Sequence, residues 1–106
     1  MYRYASRTSW VSENMDVLIV GSIAYDSITS PQGSAPNTLG GSATYAGLAA
    51  SFHLRRLNLN NVGLVGVVGT DFRDEDFATL TNAGLDTSGV EIVEGSTFHW
   101  VGSYHG

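Results

Sequence analysis

Two continuous runs of apolar residues predict the buried centre of the fold. The first spans Asp16–Ser22 (Asp-Val-Leu-Ile-Val-Gly-Ser), and the second spans Val62–Gly69 (Val-Gly-Leu-Val-Gly-Val-Val-Gly). Runs that are apolar at nearly every position are typical of strands buried on both faces, as in parallel sheets. Two such strands are too few for a complete sheet of this type, so we expect the sheet to be incomplete in this chain.

A first helix is predicted from Gly40 to Ser51, with an extension to about Leu54. Ser42 and Thr44 are residue types that can cap free N–H groups at a helix start. The small residues of the helix fall on one side at helical spacing, so it can lie close against a sheet: Ala43, Ala46, Gly47 and Ala50.

A second helix is predicted from about Phe72 to Ala83. Thr70 or Asp71 is placed to cap it, and three acidic residues fill its first turn, where the helix dipole favours negative charge. Gly84 is placed to end the helix, because glycine adopts the left-handed conformation found just after many helices.

The remaining segments predict short strands and turns. Residues 23–29 alternate between apolar and polar, as an exposed short strand does. Residues 85–89 predict a turn into a short strand at 90–94, and residues 97–106 are aromatic and β-prone. Turns are also predicted at Pro31, Gly33 and Pro36. The alternation of strands and helices predicts an α/β fold with a parallel sheet.

Composition excludes several classes of function. The 106-residue chain has a net charge of −5, no lysine and no cysteine. Binding of nucleic acid through a basic face is therefore not expected, nor is a thiol nucleophile or a cysteine-based zinc site. No apolar run approaches the roughly 20 residues of a membrane helix, and residues 1–14 form a polar segment that we expect to be a flexible lead-in. We expect a cytoplasmic protein.

Candidate chemistry is concentrated near the start of the first helix. Gly40 and Gly41 precede Ser42 there, and such a helix start presents N–H groups to a polar or anionic ligand. Asp26 follows the first strand by a few residues, where parallel sheets commonly meet ligands. The alternative interpretation is structural: a tight turn before a packed helix, and a solvated strand carboxylate. We find no catalytic residue and no metal-binding constellation, since the three histidines lack partners at ligand spacing.

Four motifs in order resemble the amino-terminal part of the ribokinase-like (PfkB family) carbohydrate kinases. The first strand with Asp26 resembles the family's first strand and its substrate-contacting aspartate. The segment 39–43 (Leu-Gly-Gly-Ser-Ala) resembles the first signature, whose di-glycine begins a helix under the sugar. Segments 65–72 and 84–90 are similar to the family's Val-Gly-x-Val-Gly-x-Asp and Gly-(Val/Ile)-Asp-Thr-x-Gly-Val segments.

The resemblance implies ATP-dependent transfer of phosphate to a hydroxyl of a sugar or nucleoside, with Mg²⁺ as the companion metal of the full-length enzyme. It implies that Asp26 holds substrate hydroxyls and that Gly40, Gly41 and Ser42 shape the sugar pocket. Many family members have asparagine at the position of Tyr45, so substrate choice is expected to differ from that of ribokinase. Residues 15–106 would be the amino-terminal part of the kinase domain: a parallel sheet flanked by helices, with a small β lid.

Segments of about 23–38 and 97–105 would form that lid, which in many members also builds a homodimer. The family's second signature supplies the catalytic-base aspartate and the ATP pocket, and it lies beyond position 106. We therefore expect this chain to be a fragment that binds neither ATP nor Mg²⁺ and has no kinase activity alone. A non-catalytic sugar- or nucleoside-binding module is the alternative. An NAD-binding domain is disfavoured, because Gly21-Ser22-Ile23-Ala24 lacks the glycine-rich fingerprint.

Overall fold

The computed structural model describes residues 15–59 and 61–105. The lead-in predicted at residues 1–14 lies outside them. The elements follow in chain order as β1 (Val17–Val20), β2 (Ala24–Ser30), β3 (Gly33–Gly40), α1 (Ser42–Arg55), β4 (Val62–Gly69), α2 (Asp74–Asn82), β5 (Leu85–Val93) and β6 (Phe98–Ser103). The predicted α/β class and the first helix are confirmed, and both apolar runs form strands. The prediction that these strands are buried on both faces is wrong, because Leu18, Val20 and Val67 are exposed.

The main sheet, which we call the parallel sheet, has the strand order β1-β4-β5, and both strand pairs are parallel. The connection from β1 to β4 and the connection from β4 to β5 move across the sheet in the same direction. Because such connections are right-handed, α1 and α2 lie on the same face of the sheet. The Ser51 hydroxyl on α1 donates a 2.6 Å hydrogen bond to the Ala83 carbonyl after α2, which shows that the helices are neighbours. On the opposite face, Leu18, Val20 and Val67 are exposed. In the part of the chain described, the parallel sheet is thus covered by helices on one face.

The second sheet has the order β3-β2-β6, and we call it the small sheet. β2 pairs antiparallel with β3 and parallel with β6. The turns predicted at Gly33 and Pro36 are wrong, since both residues lie within β3. An edge strand tolerates proline because one side of its backbone needs no ladder partner. The register shifts between Asp26 and Ile28, so Pro36 lies in an irregular part of the ladder.

Two other boundaries differ from the sequence prediction, and a third agrees with it. The residues predicted as a turn before β5 belong to that strand, which begins at Leu85. α2 begins at Asp74, and the residue before it, Arg73, makes no side-chain cap. The predicted cap Asp71 does not serve this role, because its carboxylate accepts a hydrogen bond from Thr97. Gly84 has a φ of +92° immediately after the helix end, as its predicted stopping role requires.

The core lies between the helices and the parallel sheet and extends under the small sheet. Leu64 and Leu80 are fully buried, and Tyr25 stacks on Phe72 with ring centroids 5.5 Å apart. The segment from Ile23 to Tyr25 was expected to be exposed, but it is buried because β2 begins where the two sheets meet. No helix in the described ranges is long and apolar enough to cross a membrane.

Candidate functional site

Asp26 lies in the middle of the small sheet. Its neighbours in register are Thr38 on β3 and Trp100 on β6, so the three side chains share one face. The hydroxyl of Tyr45, in the first turn of α1, lies 3.5 Å from Asp26 Oδ2 and donates to it. Tyr45 is 57% exposed and Trp100 is 43% exposed. A carboxylate with two accessible aromatic rings nearby is therefore the main chemical feature of this face.

Gly40 makes room for that carboxylate. It is the last residue of β3, and it pairs with Ala24, two residues before Asp26. A Cβ at Gly40 would overlap Asp26 Oδ2 and would lie 3.1 Å from the Tyr45 hydroxyl oxygen. Glycine at this position thus allows Asp26 and Tyr45 to approach the end of β3.

Gly41 makes the sharp change of direction from β3 into α1. Its φ of +95° and ψ of 158° are accessible to glycine and costly for other residues. A Cβ there would lie 2.5 Å from the Ser22 carbonyl oxygen and 2.9 Å from the Ala24 nitrogen. Both conformation and space require glycine, so the structure explains Gly41 without reference to a ligand.

Ser42 is held by Ser22, the residue that ends the first apolar run. The Ser42 N–H donates to Ser22 Oγ at 3.0 Å, and the Ser22 N–H donates to Ser42 Oγ at 3.2 Å. The Ala43 N–H donates to the Ser22 carbonyl at 2.8 Å. Two N–H groups that were predicted to face a ligand are therefore occupied within the chain. Thr44 does not cap the helix: it is buried, and its Oγ1 has no hydrogen-bond partner among the described residues.

The five predicted site residues thus fall into two neighbouring groups. Asp26, Gly40 and Tyr45 come together on the small sheet, whereas Gly41 and Ser42 build the junction between β1, β3 and α1. A separate cavity of about 440 Å³ lies on the uncovered side of the parallel sheet and includes none of the five; it is lined by Val20, Gly21, Ser22, Ile23, Val65, Gly66, Val67, Gly89, Glu91 and Phe98.

Asp71 and Thr97 form a polar contact that sequence reasoning missed. Asp71 Oδ1 accepts hydrogen bonds from the Thr97 hydroxyl at 2.6 Å and the Thr97 N–H at 2.8 Å. These bonds, the hydroxyl first, hold the pKa of Asp71 below its ordinary value. The Thr97 hydroxyl also accepts from the Gly69 N–H at 3.0 Å. The contact fixes the chain as it passes from β5 to β6. Asp71 and Thr97 are 26 residues apart, so no local sequence pattern predicts their contact.

Metal-binding donors are not gathered in the part of the chain described. No group of three or more histidine, aspartate or glutamate side chains there could hold a metal ion. The chain also contains no lysine to contact a phosphate. The polar chemistry of the face that carries Asp26 is that of a single carboxylate.

The fold and sequence are similar to known kinases. No protein-family model matches the chain. A cytidine kinase of Thermococcus kodakarensis is 37% identical over 91 residues, which cover 86% of this chain and 31% of that protein. The crystal structure of ribokinase from Cryptococcus neoformans var. grubii serotype A in complex with ADP matches with a TM-score of 0.65 at 22% identity, over 85% of this chain and 30% of that one.

These matches define the chain as an α/β protein with the ribokinase-like fold. With the identity to the cytidine kinase, they confirm the resemblance to ribokinase-like carbohydrate kinases. The chain spans about a third of the length of the proteins it matches.

Proposed function

We propose that the chain is the substrate-binding part of an ATP-dependent kinase that transfers a phosphoryl group to a hydroxyl of a sugar or nucleoside. The observation that carries the proposal is the position of the Asp26 carboxylate, which lies against Gly40 with Tyr45 and Trp100 nearby. Similarity to a protein named cytidine kinase supports the reaction class.

Asp26 would orient the substrate by accepting hydrogen bonds from its hydroxyls. An ionised carboxylate has about four acceptor positions. Among the described residues, the Tyr45 hydroxyl is the one side-chain donor to Asp26, at a long 3.5 Å. Most of the acceptor capacity is therefore available to a diol, such as the vicinal hydroxyls of a ribose. The exposed rings of Tyr45 and Trp100 offer apolar surface to the rest of the substrate.

In the longer enzyme, ATP with Mg²⁺ would supply the phosphoryl group. Because the described residues hold no cluster of three or more metal-ligating side chains, we assign no step of the transfer to them. We propose that the chain alone binds neither ATP nor Mg²⁺ and does not catalyse phosphorylation. Incubation with γ-labelled ATP and cytidine or ribose should give no labelled product, and a product formed in proportion to this chain would contradict that statement.

Calorimetric titration with cytidine and with ribose tests the binding role. We expect saturable binding of at least one of them, weakened about tenfold or more by Asp26→Asn, since a hydrogen bond to a charged group is worth about 1.5–3 kcal/mol. Asp16→Asn is the matched control, because Asp16 is an exposed aspartate just before β1 and lies outside the small sheet. Absence of binding by a chain that circular dichroism shows to be folded, or unchanged binding by Asp26→Asn, would refute the role.

We further propose that the small sheet is the substrate lid, because segments 23–38 and 97–105 contain β2, β6 and most of β3. The resemblance also implies a homodimer through this sheet. Sedimentation of the chain with Val101→Asp, a change at a 70% exposed residue of β6, tests this assembly: the charge should abolish a specific dimer.

A further inference from the structure

A polar cluster of Tyr25, Arg73 and Asp76 joins the small sheet to α2, and we call it the latch. The Tyr25 hydroxyl donates a 2.5 Å hydrogen bond to Asp76 Oδ2. Arg73 Nε donates to the same oxygen at 2.9 Å, and the Arg73 backbone N–H donates to the Tyr25 hydroxyl at 3.0 Å. Each of the three residues therefore contacts the other two, although Tyr25 is 48 or more residues away from its partners in the sequence.

The latch extends to a second strand of the small sheet. Arg73 Nη2 donates a 2.7 Å hydrogen bond to the carbonyl of Asn37 on β3. Asn37 has a φ of +49° and lies where the β2–β3 register shifts, and its own N–H donates to Ser27 Oγ at 2.9 Å. One guanidinium thus holds both strands that flank the irregular part of the ladder.

Burial and charge make these contacts strong. Tyr25 is 7% exposed and Asp76 is 9% exposed, so water competes weakly for their hydrogen bonds. Burial, followed by the bond to Asp76, raises the pKa of Tyr25, so the phenol remains a donor. The Arg73 guanidinium also lies 4.4 Å from the centroid of the Tyr25 ring.

Tyr25 and Asp26 are adjacent on β2, so their side chains point to opposite faces of the small sheet. We propose that the latch positions Asp26: Arg73 and Asp76 hold β2 and β3 from one face, and this sets where the Asp26 carboxylate stands against Gly40 on the other. The effect of this carboxylate position on substrate binding rests on the proposed function. The effect of the latch on the geometry of Asp26 does not depend on that function.

Two conservative variants test the latch. Tyr25→Phe removes the hydroxyl and keeps the ring that stacks on Phe72. Arg73→Lys keeps the charge and loses the planar fork that reaches Asp76 and Asn37 together. Arg55→Lys is the matched control, because Arg55 is also an exposed arginine that donates to a backbone carbonyl, that of Ala83 at 3.2 Å.

The first readout needs no ligand. In native-state hydrogen exchange followed by NMR, both latch variants should speed exchange of the β2 and β3 amides about tenfold, while exchange of the β4 amides stays as in the unmodified chain. The amide signals of Asp26 and Gly40 should also move in both variants and stay unchanged in Arg55→Lys. The proposal would be overturned if the β2 amides, like the β4 amides, exchanged at the same rate in the latch variants as in the unmodified chain, and if the Asp26 and Gly40 signals did not move.

The second readout is calorimetric affinity for cytidine and ribose. The latch variants should bind about tenfold more weakly than Arg55→Lys, because a displaced carboxylate loses its hydrogen bonds to the ligand. Unaltered affinity with displaced Asp26 signals would also count against the latch as a positioning device for binding. If the unmodified chain binds neither compound, the proposed function fails, whereas the exchange experiment still decides whether the latch positions Asp26.

Discussion

Ser22 and Ser42 exchange hydrogen bonds across the junction between β1 and α1. Each backbone N–H donates to the hydroxyl oxygen of the other serine, and the two hydroxyl oxygens lie 3.1 Å apart. Ser22 thus does for α1 what an N-cap side chain does within a single helix, although it is 20 residues away in sequence. The arrangement ties the end of a buried strand to the glycine turn that carries the candidate site.

This reciprocity predicts coupled effects of mutation. Ser22→Ala and Ser42→Ala should each lower the free energy of unfolding by about 1 kcal/mol, since Ser22 Oγ accepts from the Ser42 N–H and Ser42 Oγ accepts from the Ser22 N–H. The double variant should lose less than the sum, because each single change already removes the contact between the two hydroxyls. Urea unfolding of the four chains measures the coupling, with Ser34→Ala on the exposed part of β3 as control. Strict additivity would show that the two serines act independently.

Gly41 and Gly33 offer a comparison between two causes of glycine preference. Both have positive φ, +95° and +140°, but a Cβ at Gly41 meets backbone atoms, whereas a Cβ at Gly33 has nothing within 4 Å. Gly33→Ala should therefore cost about 1 kcal/mol, from backbone conformation alone. Gly41→Ala should cost more than about 3 kcal/mol or prevent folding, because conformation and overlap add. Similar unfolding midpoints for the two variants would contradict the observed contact with Ser22.

Gly40 and Asp26 can be tested as a pair. Gly40→Ala should lower the free energy of unfolding by about 1–3 kcal/mol through overlap with the Asp26 carboxylate. In a chain that already carries Asp26→Ala, the same change should cost much less, because the overlapping atoms are gone. A double-mutant cycle by urea unfolding provides the measurement. An equal cost in both backgrounds would mean that Gly40 is needed for a reason other than room for Asp26.

The parts of the fold that depend on local pattern were predictable from the sequence. The apolar run of β4 correctly predicts a strand, and Ala43 and Gly47 on the small-residue face of α1 are buried as expected. Ala46 on that face and Val67 on β4 are nevertheless exposed. β3 was missed because Gly33 and Pro36 favour turns locally, and pairing at the edge of the small sheet outweighs that preference. The residue types within the β3 segment did not show with which strand it would pair.

The site was predictable to a similar degree. The sequence placed Asp26 near Gly40 through the motif order, and the structure brings them into contact. It assigned Ser42 and Asp71 to helix caps, since both residue types commonly cap, but they bind Ser22 and Thr97. Such contacts join residues 20 or more positions apart, and no periodicity in the chain encodes them.

Asp71 predicts an acid-sensitive contact. Its pKa is lowered in the folded chain by the Thr97 hydroxyl and N–H, so its contribution to stability is complete above the unfolded-state pKa and disappears as the pH falls through the folded-state value. The difference in urea midpoint between the unmodified chain and Asp71→Asn should therefore shrink as the pH falls below about 4. Glu94→Gln, a change at an exposed carboxylate outside both helices, is the control. A difference that does not change with pH would show that ionisation of Asp71 is not involved.

The uncovered face of the parallel sheet predicts self-association of the isolated chain. Val20 and Val67 are 71% and 53% exposed there, and contiguous exposed apolar surface promotes association. Replacing both by threonine keeps the β-branched shape and should shift the sedimentation profile toward monomer, with a stability change within about 0.5 kcal/mol. Val68→Thr is the matched control, because Val68 is buried on the helix-covered face and a buried hydroxyl costs about 1–3 kcal/mol. A chain that already sediments as a monomer and unfolds reversibly, or a double variant that associates as before, would show that this face does not drive association.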